Sequence, residues 1–389
     1  MISQSWKRSA VVLGLSAATA FAYADAPTPK WYDTIGFSGY VQTSYTGNLS
    51  DPKSGANTGR EYDSSANSFN FNTFLLQIAK PVGDTDHYGF TVRLRAGEDA
   101  KTLNSGTVGV ESNAAELFVQ EAYITYAVPT LTKLSFIGGK FVTPEGFEGA
   151  DTVANPNFSE GLLFTAAEPV THTGVKANYV ISDKVNATVG LVNGWDNPSD
   201  NNSGKTFLWQ VATTPTKTTT WSFEGLYGKE LADPTHAERL SLDTVAGYNP
   251  TDKLSLNVQG NWGQQTNDPG TADSAGTTHW VGAGLWASYA TTAKMTESAR
   301  FEVLADQNGA DRFEGGNTVA SPAPISASGF TGPQTVKEFT LTHKTMLTSA
   351  LGTRIEYRHD WSNAAYFERN DGSGVRNQNT ISGDVFVTF

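Results

Sequence analysis

Residues 143–170 hold five carboxylates, Glu145, Glu148, Asp151, Glu160 and Glu168, and no Lys or Arg. Elsewhere arginines recur at short, even spacings: Arg93 and Arg95, then Arg354 and Arg358, with Arg300 between them in sequence. Acids with no local counter-charge do electrostatic work. Set across a gap from a row of guanidinium groups, they make a transverse field that orients dipolar solutes and raises the barrier to apolar ones. The plain alternative is pairing on one face, as Glu356 and Asp360 allow for Arg354 and Arg358. Both readings remain open at this point, and in neither is a covalent bond made or broken.

Bond-making chemistry has little to work with. The histidines, at 87, 172, 236, 279, 343 and 359, form no H-E-x-x-H pair. There is no G-x-S-x-G elbow, and Ser373, in Asp371-Gly372-Ser373-Gly374, has no base nearby in sequence. The chain lacks cysteine, which excludes disulfides, thiolate metal sites, Cys nucleophiles and lipoprotein acylation. Asp196, Asn197, Asp200, Asn201 and Asn202 offer oxygen ligands to calcium in segment 195–204. Their irregular spacing suits a turn-rich loop better. Gly282-Ala283-Gly284-Leu285-Trp286-Ala287 mimics a dinucleotide fingerprint, but inside an alternating segment, where such glycines are strand glycines. The expectation is therefore no enzyme, no cofactor and no metal.

The elements that must carry the arginines are strands. Tyr88, Phe90, Val92, Leu94 and Ala96 fall on one face of a two-residue period, and Arg93 and Arg95 on the other. The same alternation recurs at Leu254–Trp262, Val281–Tyr289, Val175–Ile181 and Leu351–His359. Tight Pro- or Asp-containing turns are expected at Pro81–Asp86, Pro129–Thr132, Ser182–Lys184, Pro215–Thr218, Asn249–Asp252, Thr291–Lys294 and Leu347–Ala350. Longer polar segments lie between them, at 48–67, 98–114, 143–170, 195–204, 230–238, 265–277, 307–334 and 362–376. Seven short and eight long connections make fifteen, which join sixteen strands and put both termini on the short-turn side. Alternating short and long connections are the pattern of a transmembrane antiparallel up-and-down β-barrel, with short periplasmic turns and long extracellular loops. A soluble sandwich has no reason for it. Segment Leu134–Phe141 is the least regular, being apolar on both faces.

The two ends agree. Lys7 and Arg8, an apolar stretch from Ala10 to Ala20, and Ala22-Tyr23-Ala24 make a secretory signal peptide over 1–24. Without it, 25 bases face 39 acids, a charge of −14, which lacks the basic footprint of a nucleic-acid binder. Mean hydropathy below zero fits a barrel, in which every second residue avoids lipid. Ile381, Gly383, Val385, Val387 and Phe389 alternate up to a terminal aromatic, which resembles the signal read by the barrel assembly machinery. Tyr40, Tyr126, Trp195, Trp262, Trp280, Tyr289 and Trp361 lie near strand ends, where interfacial girdles are expected.

Several segments together resemble the OmpL-like β-barrel porins. They are Phe37–Tyr45, Asn67–Asn72, Gly139–Pro144 with Gly146-Phe147-Glu148, Thr171–Val175 and Asn193–Asp196. The resemblance covers most of the chain. It implies a short periplasmic segment at 25–33 and a barrel over 34–389 in the outer membrane of a Gram-negative bacterium. It also implies a multi-pass channel for small hydrophilic solutes or ions. In such barrels the third long loop folds inward and narrows the lumen. The expected constriction therefore sets Glu145, Glu148 and Asp151 against a wall of Arg93, Arg95, Arg300, Arg354 and Arg358, giving mild cation selectivity. Expected partners are membrane lipid and lipopolysaccharide, the assembly machinery through Phe389, and two further copies in a homotrimer. Two alternatives stay open: a structural or adhesive barrel that binds an external partner through its long loops, and, with less support, a barrel enzyme.

Overall fold

The computed structural model describes residues 31–105, 117–231, 237–268, 276–306 and 333–389. The expected signal peptide and most of segment 25–33 lie outside them, as does most of loop 307–334.

Sixteen strands close one antiparallel barrel. They are β1 (Gly36–Asn48), β2 (Ser68–Lys80), β3 (Tyr88–Ala96), β4 (Leu117–Ala127), β5 (Leu134–Val142), β6 (Thr171–Ser182), β7 (Val185–Val192) and β8 (Thr206–Thr216). The second half holds β9 (Thr219–Lys229), β10 (Glu238–Tyr248), β11 (Leu254–Asp268), β12 (Gly276–Ala290), β13 (Met295–Asp306), β14 (Gln334–Met346), β15 (Leu351–Ser362) and β16 (Asn377–Thr388). Each strand pairs with its neighbours in sequence, and β16 closes on β1 from Tyr40–Thr388 to Asn48–Thr380. Closure satisfies every edge, which a sheet in hydrocarbon requires. Phe389 extends the seam: it exchanges backbone hydrogen bonds with Gly39 at 2.9 and 3.0 Å and stacks on Phe74.

The period of two sorts the side chains. Val175, Ile355, Leu285 and Ile381 stand exposed on the outer face. On the inner face, Gln42, Arg95, Glu302 and Arg354 are buried. Polar side chains therefore fill the interior, and apolar ones meet lipid. The connections alternate in length as expected, but the long ones are not plain coil. The second carries α1 (Glu98–Ser105), and the third carries a 3-10 turn (Thr152–Ala154) and α2 (Leu162–Ala166). The last holds a small hairpin of Phe367–Glu368 and Gly374–Val375. The sixth is shorter than expected, because β11 runs to Asp268 and β12 starts at Gly276.

Three aromatic side chains expected in the girdles are inside. Tyr40, Trp195 and Trp280 are buried, and the two indoles meet edge to face at 6.1 Å. The two indoles join an internal core of Phe141, Leu162, Leu163, Trp286, Leu304 and Tyr366, while Tyr40 lies beside Arg95 and Asp151. The reason is that the loops carry apolar residues into the barrel, so part of the inner wall must be apolar to receive them. This also explains β5, whose inner residues Ile137 and Phe141 belong to this core while Phe136 stands outside. Gly282 and Gly284 make the necessary space. A Cβ at Gly282 would collide with Cδ2 of Leu163, and one at Gly284 with the Trp286 ring. Burying a leucine such as Leu163 contributes about 1.5–3 kcal/mol.

Candidate functional site: the loop inside the barrel

Loop 143–170 is seated in the lumen, and its side chains from Leu162 to Ala166 are all buried. Two opposed portions of wall hold it, by different chemistry.

Arginines dominate the first portion. β3 supplies Arg93 and Arg95, and a bulge opposite them turns both Gln120 and Glu121 of β4 inward. Arg93 pairs with Glu121 at 3.1 Å and with Asp151 of the loop. Arg95 meets Asp151 at 3.1 Å, Asp99 at 3.3 Å and the Ala150 carbonyl at 2.7 Å. On β13, Arg300 donates to Glu148 at 2.7 Å, to the Ser159 carbonyl at 2.6 Å and to Glu338 at 3.0 Å. On β15, Arg354 pairs with Asp384 at 2.7 Å and donates to the carbonyls of Thr152 and Asn157, each at 2.8 Å. Arg358 donates to Asp360 at 2.8 Å and to the Glu160 carbonyl at 2.5 Å.

Wall acids grip the loop from its other polarity. Glu356 accepts from the amides of Phe158 at 2.6 Å and Ser159 at 3.1 Å, and Glu302 accepts from that of Leu162. Arginine on carbonyls and glutamate on amides together fix both kinds of backbone group in a segment with little secondary structure of its own.

The five arginines foreseen from spacing do come together, since β3 and β15 lie four steps apart through β2, β1 and β16. Arg93, Arg95 and Arg300 touch loop carboxylates, and Arg354 and Arg358 touch loop carbonyls, instead of facing the loop acids across a gap. Buried guanidinium groups need partners, so pairing prevails over a bare transverse field. Glu148 and Asp151 are each ion-paired. Burial alone would raise Asp151, but Arg93 and Arg95 overcome it and hold its carboxyl below the usual range.

The second portion is acidic. Glu145 accepts from Ser241 Oγ at 3.0 Å, and Glu168 from Gln259 Nε2 at 3.0 Å. Asp243 of β10 accepts from Gln259 at 2.8 Å, Asn261 at 3.0 Å and the Gly146 amide at 3.3 Å. Burial, reinforced by Asp243, pushes Glu145 and Glu168 well above ordinary carboxylates. Glu160, also in the loop, is raised by burial and by Glu148.

Other loops contribute what spacing did not reveal. Arg60, in the first long loop, bridges Asp63 and Asp360 at 2.7 Å each and is buried. Nothing local marks it, because Asp360 is three hundred positions away in the chain. In segment 195–204, Asp196 accepts from the amides of Val170 at 3.0 Å and Thr171 at 2.7 Å, and Asp200 pairs with Lys205. These oxygens serve turns, and among the described residues no group of three His, Asp or Glu could hold a metal ion.

The family whose description reads "Putative beta-barrel porin-2, OmpL-like" matches residues 34–389. No curated protein gives a significant match. Among solved structures, the outer membrane channel DcaP of Acinetobacter baumannii superposes with a TM-score of 0.61 at 11% identity, covering 91% of this chain and 97% of that one. An anion-selective porin from Comamonas acidovorans gives 0.58 at 10% identity, covering 91% and 99%. A trimer form of OmpT from Vibrio cholerae gives 0.56 at 11%, covering 92% and 99%. At such identities the likeness is one of fold.

Proposed function

This chain belongs to the OmpL-like β-barrel porin family, and from that premise we propose an outer-membrane channel for passive diffusion of small hydrophilic solutes and ions, narrowed by loop 143–170. The observation that carries the reading is the seat of that loop, held inside a sixteen-stranded wall by Arg93, Arg95, Arg300, Arg354 and Arg358. Sixteen strands enclose a lumen wide enough for water. A loop gripped by both backbone polarities is rigid enough to set a fixed constriction. Toward the short connections, Arg93, Lys176, Gln210 and Ser222 are half-buried, so polar groups line that mouth. With short connections in the periplasm and long ones outside, a solute meets the loop-filled half first. Glu148 and Asp151 are paired with arginines and burial favours the neutral forms of Glu145, Glu160 and Glu168, so a cation preference rests on Asp151, the most exposed of the five loop acids. The Comamonas porin is anion-selective, so the shared fold does not fix the sign. Lipid, lipopolysaccharide, the assembly machinery and two further copies of the chain are the partners this reading implies.

Single-channel recording of the refolded protein in a planar bilayer tests the proposal, and discrete conductance steps are the expected result. One observation favours a second reading, a closed barrel that binds an outside partner. Arg95, Glu302 and Arg358, on the inner wall toward the long loops, are at most 1% exposed. Insertion without conductance would establish that reading and overturn the channel.

A further inference from the structure

We propose that Lys133, Lys184, Lys217, Lys253 and Lys294, in five successive short connections, form a basic arc that holds the phosphates of anionic phospholipids in the periplasmic leaflet. The inference rests on the channel reading for which end of the barrel faces the periplasm, and the arc itself does not require conduction.

The arc is built by repetition. The connections β4–β5, β6–β7, β8–β9, β10–β11 and β12–β13 each hold one lysine, and all five are exposed. Among the described residues none of them has an acid within ion-pair distance, whereas Lys80, at the end of β2, pairs with Asp86 at 2.7 Å. Lys133 Nζ donates to the Ile181 carbonyl at 3.4 Å, Lys184 Nζ to that of Pro215 at 2.8 Å, and Lys294 Nζ to that of Leu347 at 3.5 Å. Each of these ammonium groups leans along the rim toward the next hairpin, and a single carbonyl leaves it two further donors. Neighbouring lysines stand two strands apart, about 10 Å across the sheet. Segments 128–133, 182–184, 215–218, 249–253 and 291–294 contain these five lysines and two acids, Asp183 and Asp252, a balance of +3 in a chain of −12. The rest of the short-connection rim, at 81–87 and 347–350, holds Asp84 and Asp86 and no Lys or Arg.

Depth decides what meets the arc. An outward aromatic lies three to five positions from each lysine in sequence: Phe136, Tyr179, Trp221, Tyr248 and Tyr289, all 47–50% exposed. Exposed rings at the end of an apolar band mark the level of the lipid headgroups. The lysines lie just beyond the rings. A four-carbon stem can run along apolar surface while its ammonium reaches the phosphates. Charge then selects among headgroups. Phosphatidylglycerol presents its phosphate alone, whereas phosphatidylcholine adds a cation of its own, which the arc repels. A soluble acidic protein would have to displace lipid already present at this depth.

The test uses the refolded protein in phosphatidylcholine vesicles doped with spin-labelled lipid, in which electron paramagnetic resonance separates barrel-bound from free label. Labelled phosphatidylglycerol should be preferred over labelled phosphatidylcholine by about fivefold beside a lysine and about twofold averaged around the barrel. The preference should vanish at 1 M salt, where screening acts over about 3 Å. It should also vanish when all five lysines are replaced (Lys133→Gln, Lys184→Gln, Lys217→Gln, Lys253→Gln and Lys294→Gln), and survive Lys53→Gln, on an exposed turn of the first long loop. If the fivefold variant does not refold, Lys217→Gln with Lys253→Gln takes its place and should lower the preference. Equal association of the two lipids with the parent, or a preference that outlasts salt or the lysine replacements, would overturn the arc and leave these lysines to water or to a periplasmic protein. Bilayer recording of the same preparation keeps the two readings apart: lipid preference without conductance retains the arc and removes the channel, while conductance without preference does the reverse.

Discussion

Arg300 of β13 and Glu148 of the inner loop meet at 2.7 Å with neither side chain more than 2% exposed, 152 positions apart in sequence. The contact joins the wall to the segment expected to narrow it. Glu148 also accepts from the Gly161 amide at 2.6 Å and from the Trp286 indole at 3.1 Å, so one carboxylate ties both limbs of the loop to β12 and β13.

Replacing Glu148 with Gln should therefore destabilise the folded barrel. Arg300 would keep Glu338 and lose one of its two close acids. Breaking a buried pair from one side costs about 3–5 kcal/mol. Urea unfolding in detergent measures this, and a midpoint equal to that of the parent would show that the loop is not held through this contact.

Asp151 should govern ion selectivity more than stability. Its side chain is 24% exposed and that of Arg93 is 14%, so this pair is the wettest link between loop and wall. Asp151→Asn removes one negative charge, leaving Arg93 with Glu121 and Arg95 with Asp99, and should move the reversal potential in a salt gradient toward anions. The shift should be largest at low salt, since screening acts over about 10 Å at 0.1 M. Asp371→Asn, on an exposed turn of the last long loop, should change little. Equal shifts from the two variants would remove the loop from the ion path.

The same carboxylate predicts a pH response. Its pKa is held below the usual value of about 3.9, so its contribution is present above that pH and is lost only as pH falls through the lower, folded value. Selectivity should stay constant from neutral pH down to about 4 if Asp151 dominates it. A change centred near neutrality would point to another group.

Leu163→Ala should loosen the loop without touching a charge. The side chain is 1% exposed and fits beside Gly282 on β12. A cost of about 2–5 kcal/mol is expected from the cavity. Noisier single-channel current at unchanged selectivity would follow, and quiet, unaltered traces would mean that the loop is fixed by its ion pairs alone.

Deleting Phe389 should lower the amount of assembled barrel. The residue closes the seam through two backbone bonds to Gly39 and stacks on Phe74 at 6.4 Å. Heat-resistant mobility on gels, compared with total protein, reads the outcome. Normal assembly of the truncated chain would leave Phe389 without a part in closure.

Orientation is tested by paired cysteines. One at Asp371, exposed in a long loop, should react with an impermeant thiol reagent on intact cells, and one at Thr216, beside a short turn, should not. The reverse pattern would invert the barrel.

The amino-acid sequence by itself determined the barrel and its strand number. Lipid contact imposes an apolar residue at every second position, and the connections are local, so both leave marks within ten residues of each other. The inward direction of Arg93, Arg95, Arg300, Arg354 and Arg358 was legible for the same reason, as was the closeness of β3 and β15, which needs only a count of strands. Which face Trp195 and Trp280 occupy was decided by the tertiary structure alone. An aromatic at a strand end suits lipid and an apolar loop equally well, and only the seat of Leu162 and Leu163 inside the barrel distinguishes the two. The partners of the arginines were hidden likewise. Glu148, Asp151 and Arg60 reach their counter-charges across the lumen, and contacts between residues so far apart in the chain depend on how the loops fold back, which no local spacing encodes.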